Sequence, residues 1–115
     1  MHELAIANSI VNTVLKQVEK QNLGRVNAVG LRIGALSDVV PEALEFGFSA
    51  IIAGTALEGA RLKIENVPVL ATCTDCAATF GVKELVFACP ECRSRNVELE
   101  QGQELDIVYI EVETR

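Results

Sequence analysis

The sequence predicts an α+β fold: two helices packed on a three-stranded sheet, with a cysteine-rich segment inserted between the second and third strands. Three observations lead there. Apolar residues recur at helical spacing over 3–21 and again after Pro41; they alternate with polar residues over 25–34, 60–67 and 104–113; and all four cysteines fall within 73–92.

In chain order, Leu4, Ala7, Val11, Val14 and Val18 follow steps of three and four, with Ile10 and Leu15 widening the stripe, so 3–21 reads as an amphipathic helix. Gly24 in "NLG" is its expected stop. "RVNAVGLRIG" then reads as a strand with Val29, Leu31 and Ile33 on one face. Pro41 suits a first helical position, and acidic Glu42 follows it. Leu44, Phe48 and Ile51 share a face of this second helix, and Gly54 ends it. "ARLKIENV" alternates Leu62 and Ile64 with Lys63 and Glu65. "ELDIVYIEVE" sets Val108, Ile110 and Val112 on one side of the last strand.

Half of the 115 residues are hydrophobic, but there is no Trp and only 4% are aromatic, so the core is aliphatic. The formal net charge of −6 argues against nucleic acid as a partner, since such binding draws on Lys and Arg. No apolar run approaches the ~20 residues that span a bilayer. No basic start leads into an apolar segment with a cleavage site either. The expectation is a cytoplasmic protein with no membrane partner, where thiols stay reduced.

"CTDC" at 73–76 and "CPEC" at 89–92 are two Cys-x-x-Cys knuckles separated by twelve residues. Each two-residue gap folds the chain back so that both sulfurs face one metal, and two pairs supply the four thiolates of a tetrahedral zinc site. Cys73, Cys76, Cys89 and Cys92 are therefore expected to hold Zn(II). The segment between them, "AATFGVKELVFA", has the length of a short hairpin carrying Phe80, Val82, Val86 and Phe87, which completes a zinc ribbon in outline. Four cysteine ligands leave no open position for water, so the zinc is structural rather than catalytic. A dithiol redox switch is the alternative, although such a motif normally occurs once, beside a β-α-β unit. The domain organisation read from this is 1–70 plus 99–115 as the α/β domain and 71–98 as the ribbon.

The single histidine stands at position 2, in "MHEL". A histidine there is ordinarily part of a frayed chain end. The Met1 amine, the His2 amide nitrogen and the His2 imidazole can nevertheless close adjacent chelate rings around one metal. A deprotonated amide favours a square-planar ion, Ni(II) or Cu(II), over Zn(II). Glu3 can fill the fourth position through its amide or its carboxylate. The set requires that Met1 be retained, as it is where the second residue is large.

Together, "MHEL" opening a helix, "LRIGALSDVVPEALEFGF" in the middle and "CTDC…CPEC" around a ribbon resemble the HypA/HybF family, the nickel chaperones of [NiFe]-hydrogenase maturation. The resemblance covers essentially the whole chain. It implies a non-enzymatic metallochaperone with a nickel-binding α/β domain and a structural zinc domain. It also implies delivery of Ni(II) alongside a HypB-type GTPase to the hydrogenase large-subunit precursor. Carried over by position, Met1 and His2 are the nickel site with Glu3 beside them, and the four cysteines are the zinc ligands.

Other residues carry less. Asp38, before the second helix, reads as its cap, with an oxygen ligand near the N-terminus as the alternative. Glu42, Glu45, Glu98, Glu100, Glu104, Glu111 and Glu113 read as solvated charge. No Ser-His-Asp set, phosphate-binding glycine loop or paired carboxylates make a case for catalysis. The rival function is a zinc-ribbon interaction module binding nucleic acid or a transcription partner. It calls for a basic surface, and "CRSRN" with Lys83 offers a small one.

Overall fold

The computed structural model describes residues 3–113, which fall into two compact units. One unit holds residues 3–32, 38–65 and 106–113; the other holds 33–37 and 66–105.

In the first unit, helix α1 (Glu3–Gln21) buries Ala7, Ile10, Val11 and Val14, the stripe expected from its spacing. Leu4, expected on the same stripe, is 62% exposed because it sits in the first turn, beyond the full reach of the core. The helix closes on Asn22, at φ 51, with the Leu23 amide donating to the Val18 carbonyl at 3.0 Å. The expected stop at Gly24 is thus pre-empted, since Asn tolerates the left-handed conformation.

Helix α2 (Pro41–Ile52) buries Leu44, Gly47, Phe48 and Ile52. Ile52 continues the row one turn beyond Phe48, so Ile51, expected there, is only partly buried. The two helices meet where Gly47 lies against Leu4 and Ala7; a Cβ at Gly47 would stand 3.3 Å from Leu4 Cδ1. Asp38 is not the cap. The cap residue is Val40, which makes no side-chain capping bond, and Asp38 turns the chain upstream at φ 62. Gly54, at φ 78, ends the helix as expected.

Strands β1 (Val26–Gly34), β2 (Arg61–Val67) and β6 (Leu105–Val112) form a three-stranded sheet in the order β2-β1-β6. Central β1 buries Val29, Leu31 and Ile33, and Ala28 and Gly30 on its other face as well. Alternation alone suggested one apolar face. The second is covered because small residues there lie under long neighbours. The Tyr109 ring rests on Gly30, where a Cβ would come within 2.1 Å of it. Lys63 on β2 reaches over β1 to Glu111 on β6 at 3.1 Å, so Glu111 is an ion-pair partner as well as exposed charge. On edge strand β6, Val108 remains 48% exposed, with Ile110 and Val112 partly buried.

The second unit is built on another three-stranded sheet, β4-β3-β5, of β3 (Leu70–Cys73), β4 (Thr79–Gly81) and β5 (Val97–Gln101). Both pairings are antiparallel: Ala71 faces Phe80 on one side and Leu99 on the other. This corrects the hairpin expected inside 77–88. β4 pairs back across the first knuckle to β3, and its ladder ends with the Val82 amide on the Val69 carbonyl at 2.9 Å. Glu84 and Leu85, at φ 53 and 60, then turn the chain out of extended conformation, leaving Leu85 and Val86 exposed. Two successive left-handed residues cannot continue a strand. In the same unit Gly34 meets Gly102 so closely that a Cβ on Gly34 would lie 2.1 Å from the Gly102 carbonyl oxygen. The Gly34 amide donates to the Glu104 carbonyl and the Leu36 amide to the Gly102 carbonyl, both at 2.7 Å.

Candidate metal centre

Each knuckle is a short loop closed on itself. The Cys73 amide donates to the Ala78 carbonyl at 2.9 Å and the Ala77 amide to the Cys73 carbonyl at 2.9 Å. The second knuckle repeats this: Cys89 amide to Ser94 carbonyl and Arg93 amide to Cys89 carbonyl, both at 2.8 Å. The residue after each knuckle takes a left-handed conformation, Ala77 at φ 66 and Arg93 at φ 63. The sequence marks neither position, because both carry a side chain where glycine is the usual choice.

These loops bring the four cysteine sulfurs within 4.8 Å of one another. Cys73 and Cys92 approach to 3.5 Å, as do Cys76 and Cys89, so the close pairs run between knuckles. A tetrahedral zinc with Zn–S bonds near 2.3 Å sets sulfurs about 3.8 Å apart, and the cluster fits that size. Cys73 and Cys89 are buried; Cys76 and Cys92 face solvent.

Four thiols this close cannot all ionise without a cation. Backbone amides favour one of them: the Cys92 amide foremost, with that of Glu91, outweighs burial and brings the Cys89 thiol down to about 7. At Cys76 the Ala78 amide pulls the same way, but the Cys89 thiol, burial, and the Cys92 and Cys73 thiols together push it up to about 12. The Ser94 amide favours ionised Cys92, yet Cys73 and burial leave that thiol raised. A dication resolves the conflict by stabilising all four thiolates at once. A dithiol switch needs the reverse, an exposed thiol with lowered pKa.

A polar group missed by motif reading joins the knuckles. The Ser94 hydroxyl and, at 3.2 Å, the Asn96 side-chain amide donate to Asp75 Oδ2. These two bonds, Ser94 first, hold the Asp75 carboxyl below its ordinary pKa. Superposing "CTDCAA" on "CPECRS" as a repeat, with short polar residues trailing the second copy, is the signal that would have found it.

At the other candidate site, Met1 and His2 lie outside the described residues. Glu3 is described: it opens α1, and its Oε2 accepts the Val40 amide at 3.0 Å. Among the described residues no helix is long and apolar enough to cross a membrane.

Comparison with known proteins adds to this geometry. Residues 1–112 match the family model described as "HypA: Hydrogenase/urease nickel incorporation, metallochaperone, hypA". A hydrogenase maturation factor HypA from Geobacter sulfurreducens is 44% identical over 113 residues, covering 98% of this chain and 100% of the relative. One from Roseiflexus sp. is 42% identical over 114 residues, covering 98% and 93%. The solution structure of the Ni metallochaperone HypA from Helicobacter pylori shares the fold, at TM-score 0.66 and 24% identity over 97% of each chain. A second HypA solution structure aligns at TM-score 0.71 and 24% identity over 97% of this chain and 96% of that one.

Proposed function

The chain belongs to the HypA family of hydrogenase/urease nickel-incorporation metallochaperones, and from that premise we propose that it binds Ni(II) at its amino terminus and delivers it during maturation of [NiFe]-hydrogenase. The observation that carries the proposal is a family match running from residue 1, taking in Met1, His2 and Glu3. The Met1 amine, the His2 amide nitrogen and the His2 imidazole form the chelate. Glu3 completes a square plane from its backbone amide while its carboxylate serves Val40. Few ligands at a chain end suit a cargo ion that must be handed on. The receiving partners in this role are a HypB-type GTPase and the large-subunit precursor, met in the cytoplasm; the role calls on neither nucleic acid nor membrane.

Cys73, Cys76, Cys89 and Cys92 hold Zn(II) in this reading, which rests on their common 4.8 Å cluster and all-thiol donor set. Bound there, zinc supplies a cross-link worth ~10–16 kcal/mol, with no open position for a substrate. The residues' own part is to fold both knuckles back onto one point.

Calorimetric nickel titration of tag-free protein with an authentic Met1 amine tests the nickel site. The informative variant is His2→Gln, because a small residue such as Ala at position 2 would also bring about removal of Met1. The parent should bind nickel tightly, and His2→Gln should lose most of the affinity and fail to support hydrogenase activation. Equal affinity in the two would overturn the proposal.

A further inference from the structure

The inner half of the four-sulfur cluster, Cys73 and Cys89, is held by burial, while the outer half, Cys76 and Cys92, faces solvent. Packing therefore cannot fix where the outer sulfurs stand. Polar bonds between the knuckles can. Thr74 donates twice to the Asn96 carbonyl, from its amide and from its hydroxyl, both at 2.8 Å. Asp75 Oδ2 accepts from the Ser94 hydroxyl and from the Asn96 side-chain amide. The Asn96 amide donates to Ser94 Oγ at 3.0 Å, so that hydroxyl is fixed as donor and as acceptor. Ser94 also closes the second knuckle, its carbonyl accepting the Cys89 amide at 2.8 Å, two residues beyond Cys92. A chain of contacts thus runs from Asp75 through Ser94 to the backbone of Cys89 in the opposite knuckle.

We propose that Asp75 is a positioning residue for the metal centre: by gripping Ser94, which closes the second knuckle, it sets the spacing of the two knuckles and with it where Cys76 and Cys92 stand. This rests on the reading of the four cysteines as a zinc site. Groups that orient metal ligands from behind typically alter metal affinity ten- to a hundredfold when removed. Here the group acts from outside the fold's core, on the two sulfurs that solvent would otherwise loosen. Thr74 closes the same clasp through the backbone, so removing Asp75 alone leaves the knuckles tethered but lets Ser94 turn.

The test uses the full chain loaded with Co(II), whose absorption bands report sulfur geometry, and with Zn(II) for release to a chelator. The parent should take up one Co(II) with the bands of a tetrathiolate site; their absence would sink the zinc reading itself, whatever Asp75 does. Given those bands, Asp75→Ala and Ser94→Ala should each shift them and release zinc about ten- to a hundredfold faster, with helical circular dichroism unchanged. The double variant should be no worse than either single one, because the two residues act as a unit. Asp75→Asn, which keeps an oxygen for the Ser94 hydroxyl, should recover much of the parent behaviour. Should Asp75→Ala fail to fold, Ser94→Ala and Asp75→Asn give the same two readings. Parent bands and parent release rate in Asp75→Ala, or in Ser94→Ala if the former is unfolded, would overturn the proposal, as would strictly additive effects.

Discussion

The carboxylate of Glu3 accepts a hydrogen bond from the backbone amide of Val40 at 3.0 Å, tying the start of α1 to the start of α2. In a capping box, a Glu in the helix's own first turn reaches back to the cap amide. α2 has Ala43 at that place and Val40 as a cap with no side-chain bond, so Glu3 performs this service from the other helix. Glu3→Ala should therefore lower stability by ~1 kcal/mol, and Glu3→Gln by less, since its amide oxygen still accepts. Thermal melts without nickel measure this. Nickel stoichiometry should survive both substitutions, because the proposed Glu3 donor is its backbone nitrogen. Loss of nickel in Glu3→Gln with an unchanged melt would return the carboxylate to the ligand set.

Removing zinc should unfold one unit and spare the other. The buried apolar residues within 66–105 are Val67, Val69 and Ala71 with the two inner cysteines, too few to offset chain entropy without the metal. The first unit keeps Phe48, Leu31, Leu44 and Val14 buried. Amide exchange after chelation should show protection lost over 66–105 and retained in α1 and α2. Uniform loss would contradict it.

Acidification should release nickel before zinc. The His2 imidazole must be neutral to bind, and an unperturbed histidine titrates near ~6.5, so nickel affinity should fall between about pH 7.5 and 6. The clasp does not open in that window. Asp75 has a folded pKa below its ordinary value, because the Ser94 hydroxyl and the Asn96 amide favour its carboxylate, so its contribution is complete above that ordinary value and is lost only as pH falls through the lower one. A flat nickel affinity from pH 7.5 to 6 would exclude His2 as a ligand.

Glycine should be tolerated, and welcomed, where each knuckle turns left-handed. Ala77 at φ 66 and Arg93 at φ 63 each hold a side chain in a conformation costing ~1–2 kcal/mol for an L-residue. Glycine removes that cost but adds up to ~1 kcal/mol of chain entropy to the unfolded state, so the net gain per site is a few tenths to ~1 kcal/mol. Zinc-loaded Ala77→Gly and Arg93→Gly should melt higher than the parent. A lower melt in both would show that the side chains, rather than the turns, hold those positions.

The sequence alone determined what local spacing can encode. Ala7, Val11 and Val14 at helical steps, Pro41 opening α2, Gly54 closing it and the doubled Cys-x-x-Cys were all legible, because each depends on neighbours along the chain. Family likeness and the four-cysteine cluster were legible for the same reason. The rest was decided by residues distant in sequence. The β4 segment has only Thr79–Gly81, too short to declare a partner, and only the folded chain shows it lying against β3 rather than making a hairpin with 82–88. Gly30 becomes part of a second buried face because Tyr109, from a strand far along the chain, closes over it. Glu3 finds Val40, and Asp75 finds Ser94, across intervals that no periodicity marks. A carboxylate's charge is written in the sequence, but its hydrogen-bond donor is set by which backbone and side-chain groups the fold leaves within reach.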